Sequence, residues 1–138
     1  MEPILAKIID LPCVRDPRGN LSFIQNADQI PFEIARAYWI YDVPGGHNRD
    51  GHAFHTQQEL IVSLSGSFDA VLDDGHGHRI RHHLNRSYYG LYVPPLTWRE
   101  LDNFSTNSVA LVLSSTLYDE LDYIRDFDTF KQIVNHEL

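Results

Sequence analysis

Counting from Gly46, five residues lead to His52, one more to Phe54, four to Glu59 and six to Gly66. An imidazole and a carboxylate at fixed spacing between two glycines suit two kinds of chemistry. They can hold a metal, given enough nitrogen and oxygen donors, or they can move protons, because histidine titrates near neutral pH. A second stretch, VPPLTWRE from Val93 to Glu100, carries Arg99 directly after Trp98. A guanidinium is always charged and cannot ligate a metal. It can stabilise an enolate or grip a phosphate. In ARAYWIYD, Arg36 and Tyr38 share one face of a strand under period-two alternation. If that face is interior, the arginine is costly unless it meets an anion; if exterior, both are ordinary surface residues. Arg18 and Arg49 lie in glycine-rich turns, where a loop arginine is commonly just solvated. For His52 the plainer reading is a hydrogen-bonded core histidine.

The spacing G-x5-H-x-x-x4-E-x6-G is similar to the first motif of the cupin barrels, in which three histidines and a carboxylate gather at one end of the barrel. Phe54 stands at the second histidine position and has no donor atom. Arg99 falls at the last histidine position, so two of four ligands are absent and no metal is expected. His55 is no substitute, since three residues along a strand turn it to the face opposite His52. The tract HGHRIRHH, His76 to His83, follows a hairpin turn and lacks a carboxylate or thiolate spaced to finish a metal site.

These residues must be carried by short strands. Leu60 to Leu64 and Phe68 to Leu72 are apolar and β-branched around Ser65-Gly66-Ser67. Asp73-Asp74-Gly75 reads as a hairpin turn and His78 to Leu84 as the return strand. Ala35 to Asp42, Tyr89 to Val93 and Val109 to Ser114 add further strands. Near the start, Asp16 to Asn20 form a turn between Ile8-Ile9 and Leu21 to Ile24. Close spacing of short strands favours an all-β sandwich or barrel over a βαβ sheet. Toward the end, Leu121, Ile124, Phe127 and Phe130, followed by Ile133 and Val134, give an apolar stripe for one or two short helices capping the barrel. The expectation is one domain over residues 1–138, with a barrel at about 15–116 and a helical cap at about 117–138.

With 138 residues and 43% hydrophobic content, the chain has the size and composition of one globular domain. A net charge of -8 argues against non-specific nucleic-acid binding. Cys13 is the one cysteine, which excludes a disulfide framework. No apolar run is long enough to span a membrane, and a cytoplasmic protein is expected.

RAYWIYD, RDGHA, SLSGSFDAVLDDG, GLYVPPLTWREL and LSSTLYDELDYIRDFDTF together resemble the sugar-nucleotide 3,4-ketoisomerases, the WxcM-like cupins, from about Arg15 to Ile133. The resemblance implies a metal-free jelly-roll barrel, commonly a homodimer, that acts on dTDP-4-oxo-6-deoxy-glucose and moves its carbonyl from C4 to C3 without a cofactor. His52 matches the first active-site histidine of that family. Tyr38 and Arg36 match its R-x-Y-x-I motif, Arg49 the arginine opening R-G-x-H-A-H, and Arg18 the D-x-R/Y-G turn. Arg99 matches the variable arginine or histidine after Trp98. Catalytic roles are thereby expected for His52, Tyr38 and Arg99, and substrate-binding roles for Arg18, Arg36, Arg49 and Trp98. Phe54 departs from the pattern of two histidines and leaves the second proton-transfer group open, with Tyr38 expected to serve. Two other readings remain: a 3,5-epimerase of the same sugar nucleotide, and a non-catalytic sugar-nucleotide-binding cupin.

Overall fold

The computed structural model describes residues 5–47 and 49–136, except for the side chains of Arg49 and Asp50. Its strands are β1 (Lys7–Asp10), β2 (Cys13–Val14), β3 (Leu21–Ser22), β4 (Arg36–Tyr41), β5 (Arg49–Phe54) and β6 (Glu59–Ser65). They continue with β7 (Phe68–Asp73), β8 (Arg79–Leu84), β9 (Tyr89–Val93), β10 (Trp98–Asp102), β11 (Val109–Ser114) and β12 (Tyr123–Ile124). A 3-10 turn (Glu120–Asp122) precedes β12, and helix α1 (Phe127–Val134) follows it.

The strands form two five-stranded sheets, ordered β1-β9-β6-β11-β4 and β12-β5-β10-β7-β8, with β2 and β3 as a separate small ribbon. All pairings are antiparallel, and apart from the β7–β8 hairpin the neighbours in each sheet are not consecutive in sequence, as a jelly roll requires. The architecture is an all-β, cupin-type barrel. Ile61, Phe68, Leu72, Leu91, Leu101 and Val112 are buried between the sheets. The Asp73-Asp74-Gly75 turn forms as the sequence predicts. Gly75 takes a φ of +77°, and Asp74 accepts a 2.7 Å hydrogen bond from the His76 backbone N–H.

Alternation decides which side chains enter the barrel. On β4, Arg36, Tyr38 and Ile40 are half-buried, whereas Ala37, Trp39 and Tyr41 are exposed. The interior reading of Arg36 and Tyr38 therefore holds. On β10, Leu101 joins the core and Arg99 is buried beside it, while Trp98 turns to the outer face.

Two details differ from the sequence reading. The first sheet includes β1, which hydrogen-bonds β9 of the same chain, so the barrel begins before residue 15. Leu121 is not part of the helical stripe; it lies in the 3-10 turn with 88% of its surface exposed. Helix α1 lies against the second sheet. Its Phe130 packs with Ala53, Trp98 and Ile124, covering the outer face of the second sheet. Among the described residues no helix is long and apolar enough to cross a membrane.

Candidate active site

The inner ends of β4, β5, β6 and β10 converge on one buried polar cluster. Arg99, 2% exposed, donates from Nε to Glu59 Oε1 at 2.9 Å and from Nη2 to Glu59 Oε2 at 3.2 Å. The same Nη2 donates to the Tyr38 hydroxyl at 2.7 Å, and that hydroxyl donates to Glu59 Oε2 at 2.8 Å. Burying a charge this deeply is tolerable only with a well-aligned counter-charge and its remaining bonds satisfied. Gln57 helps meet that need, donating from Nε2 to Glu59 Oε2 and to Ser114 Oγ, each at 3.1 Å. Its Oε1 accepts from Arg36 Nη2 at 3.1 Å and from Thr116 Oγ1 at 2.7 Å.

These contacts set protonation states. Burial pushes the Tyr38 phenol well above its ordinary range, and Glu59 adds to the rise while Arg99 opposes it. Tyr38 therefore stays protonated at neutral pH and acts as a hydrogen-bonding hydroxyl. Burial works against the Arg99 cation, but Glu59 outweighs it, and the guanidinium is held charged.

His52 lies directly opposite Arg99 in the β5–β10 ladder. Its ring meets Phe54 edge-on at a centroid distance of 5.0 Å and Tyr123 at 5.2 Å; the Phe54 and Tyr123 rings are 4.6 Å apart. The sequence allows this on β5 because Gly51 leaves room outside. A Cβ there would stand 2.6 Å from Trp98 Nε1, so the indole lies against the bare backbone while His52 faces inward. His55 is exposed, as alternation requires.

At the mouth, Arg36 lies over the rings of Tyr38 and Tyr118, at 5.3 and 5.6 Å. Its Nε is buried with no hydrogen-bond partner among the described residues. A buried N–H of this kind is costly and suits an anionic oxygen from a ligand.

The structure thus gathers Arg36, Tyr38, His52 and Arg99 and sets two other expected residues, Trp98 and Arg18, apart. Trp98 donates to Glu100 Oε2 at 2.9 Å and packs on Phe127 and Phe130, on the face away from Arg99. The reason is alternation: if Arg99 points in, its neighbour points out. Arg18 lies in the β2–β3 turn, exposed and bound through two nitrogens to Asp16. The Arg49 side chain lies outside the described residues. Three residues not singled out as site residues join the cluster: Glu59, Gln57 and Tyr123. Glu59 was signalled by its place in the spaced motif, and Tyr123 lies within LSSTLYDELDYIRDF. Nothing in the sequence marks Gln57 for its role.

Metal ligation does not suit the donor set. Phe54 offers none, Arg99 is cationic, and Glu59 is committed to Arg99. Fold and site together define a cupin barrel with a histidine facing a hydrogen-bonded Tyr–Glu–Arg cluster, an arrangement fitted to proton transfer. The family model described as FdtA, WxcM-like, C-terminal, matches residues 5–135. The chain belongs to that family. It is 40% identical over 128 residues to the TDP-4-oxo-6-deoxy-alpha-D-glucose-3,4-oxoisomerase of Aneurinibacillus thermoaerophilus, covering 93% of this chain and 91% of the relative. A 3,4-ketoisomerase from Helicobacter canadensis superposes with a TM-score of 0.92 at 39% identity, covering 96% of this chain and 98% of the other. A TDP-quinovose 3,4-ketoisomerase from Campylobacter jejuni gives 0.88 at 39% identity, over 93% and 98%.

Proposed function

We propose that this protein is a sugar-nucleotide 3,4-ketoisomerase that converts dTDP-4-oxo-6-deoxy-glucose to a dTDP-3-oxo-6-deoxy-hexose. The observation that carries the reading is His52 opposite Arg99, with the Tyr38 hydroxyl on the same guanidinium. Moving a ketone to its neighbour needs a base for the carbon proton and stabilisation of an enediolate. No redox cofactor is required, because one carbon is oxidised as the other is reduced. His52 removes the C3 proton and returns it at C4. Tyr38 and Arg99 bear on the enediolate oxygens, where charge develops between ground state and transition state. Arg36, with its buried Nε, takes a diphosphate oxygen, and Arg18 and Arg49 are further candidates for the same anion. Trp98 supports the site through packing. The protein works in the cytoplasm, where an unpaired cysteine such as Cys13 stays reduced.

A homodimer is part of this reading. Trp39, Tyr41 and Leu64 are 58%, 60% and 49% exposed on the outer face of β4 and β6. With Val109 and Leu111 they line an apolar groove suited to a second copy.

Incubation with the 4-oxo sugar in deuterated water, read by NMR, tests the function. The carbonyl is expected at C3, with deuterium at C4 in those turnovers in which the proton held on His52 exchanges with solvent before it is returned. A 3,5-epimerase would leave the ketone at C4, and a binding protein would leave the ring protons unexchanged. His52→Asn is expected to lose migration at least about 100-fold, the scale of a general base. A near-normal rate in that variant would remove His52 from the mechanism.

A further inference from the structure

Moving the ketone transfers two protons, one bound to carbon and one to oxygen. His52 accounts for the first. We infer that Tyr123 carries the second, passing the oxygen-bound proton between the two sugar oxygens in the place that Phe54 leaves without a donor. The inference rests on the ketoisomerase reading.

The register is the first argument. Tyr123 of β12 pairs with Phe54 of β5, so both side chains stand on the same inner face. The 4.6 Å contact between their rings and the 5.2 Å contact with His52 place a phenol beside the spot where a second histidine would have stood. The Tyr123 phenol also lies near enough to bear electrostatically on both Tyr38 and Arg99, so it shares their chamber.

The second argument concerns Tyr38. Its single proton is given to Glu59 at 2.8 Å, and its oxygen accepts from Arg99 at 2.7 Å. To serve as a relay it must break a charge-assisted bond in a buried site. Tyr123 is held by other means. Arg125 sits over its ring at 4.2 Å, Tyr118 packs against it at 5.7 Å, and the preceding Asp122 is anchored to residues 56 and 57. Its ring is fixed, and no side-chain hydrogen bond to a described residue ties its hydroxyl.

The step balances without an oxidant. His52 takes the proton from C3, the C–H electron pair becomes the C3=C4 bond, and the carbonyl pair moves to O4. O4 takes the Tyr123 proton. The Tyr123 oxygen then takes the O3 proton as C3=O forms, and the C3=C4 pair collects the proton from His52 at C4. Both residues return to their starting states, and the hydrogens of C3 and O3 have become those of C4 and O4.

Tyr123→Phe tests this with dTDP-4-oxo-6-deoxy-glucose. Ketone migration is expected to fall at least about 100-fold, the contribution of one acid–base group, with KM within about threefold. Deuterium from solvent should still enter C3 of recovered substrate, because His52 is intact. Migration within about threefold of the parent overturns the inference. So does joint loss of migration and C3 exchange, which marks Tyr123 as support for His52 alone. If the phenylalanine variant does not fold, 3-fluorotyrosine at position 123 serves instead. Its more acidic phenol should lower the pH at which migration declines on the alkaline side, and an unmoved limit overturns the inference. Failure of the underlying reading is distinct, since the parent protein itself would then leave the ketone at C4.

Discussion

At the residue scale the site turns on two charges removed from water, Arg99 and Glu59, at 2% and 1% exposure. Each is hard to bury and harder to bury alone. Arg99→Met is expected to cost about 3–5 kcal/mol, because it leaves Glu59 buried without its counter-charge. Adding Glu59→Leu should recover most of that loss by removing the stranded carboxylate. Urea unfolding of the two single variants and the pair measures the coupling; a pair less stable than either single variant would contradict it. Activity should not return with stability, since Tyr38 then loses both partners of its hydroxyl. The same residues mark how far the sequence could be read. His52 and Arg99 were legible from motif spacing, whereas alternation left the face of Tyr38 open and only the family resemblance placed it at the site. Gln57 was not legible, because its value lies in four bonds to Arg36, Glu59, Ser114 and Thr116 on separate segments of the chain.

At the scale of the elements, β5 and β10 divide their labour by face. One face presents His52 and Arg99 to the interior, and the other presents Ala53 and Trp98 to helix α1. Gly51 is where the two faces are reconciled, since a Cβ would meet Trp98 and Glu100 Cγ at 2.6 Å. Gly51→Ala is expected to displace the indole, at a cost of about 1–3 kcal/mol from overpacking. A shift in tryptophan emission should accompany lowered activity as β5 moves. A variant with unchanged emission and stability would show that the indole yields freely. The sequence foresaw most strands of the barrel within a residue or two, because their apolar pattern reports burial directly. It misplaced the terminal segment for the same reason. The stripe from Leu121 to Val134 is apolar throughout, but the chain divides it among a 3-10 turn, a two-residue strand and a helix. Periodicity does not reveal where hydrogen bonds change partner.

At the scale of the whole molecule, the outer face of β4, β6 and β11 is the surface to explain. Trp39→Glu sets a charge in the middle of its apolar groove and is expected to yield monomers, with the fold retained because Trp39 contributes nothing to the barrel interior. Sedimentation measures the outcome, and a parent protein that already sediments as a monomer would remove the dimer from the proposal. A last consequence follows from β12. It adds only two pairs to β5, at Ala53 and Phe54. Beyond them Asp122 accepts from the backbone N–H groups of Thr56 and Gln57, and its carbonyl from that of His55. The strand carrying His52 would otherwise end the sheet and offer those N–H groups to any passing chain. The C-terminal segment therefore guards against aggregation as well as furnishing a phenol. Shortening the protein from that end should cost solubility together with catalysis.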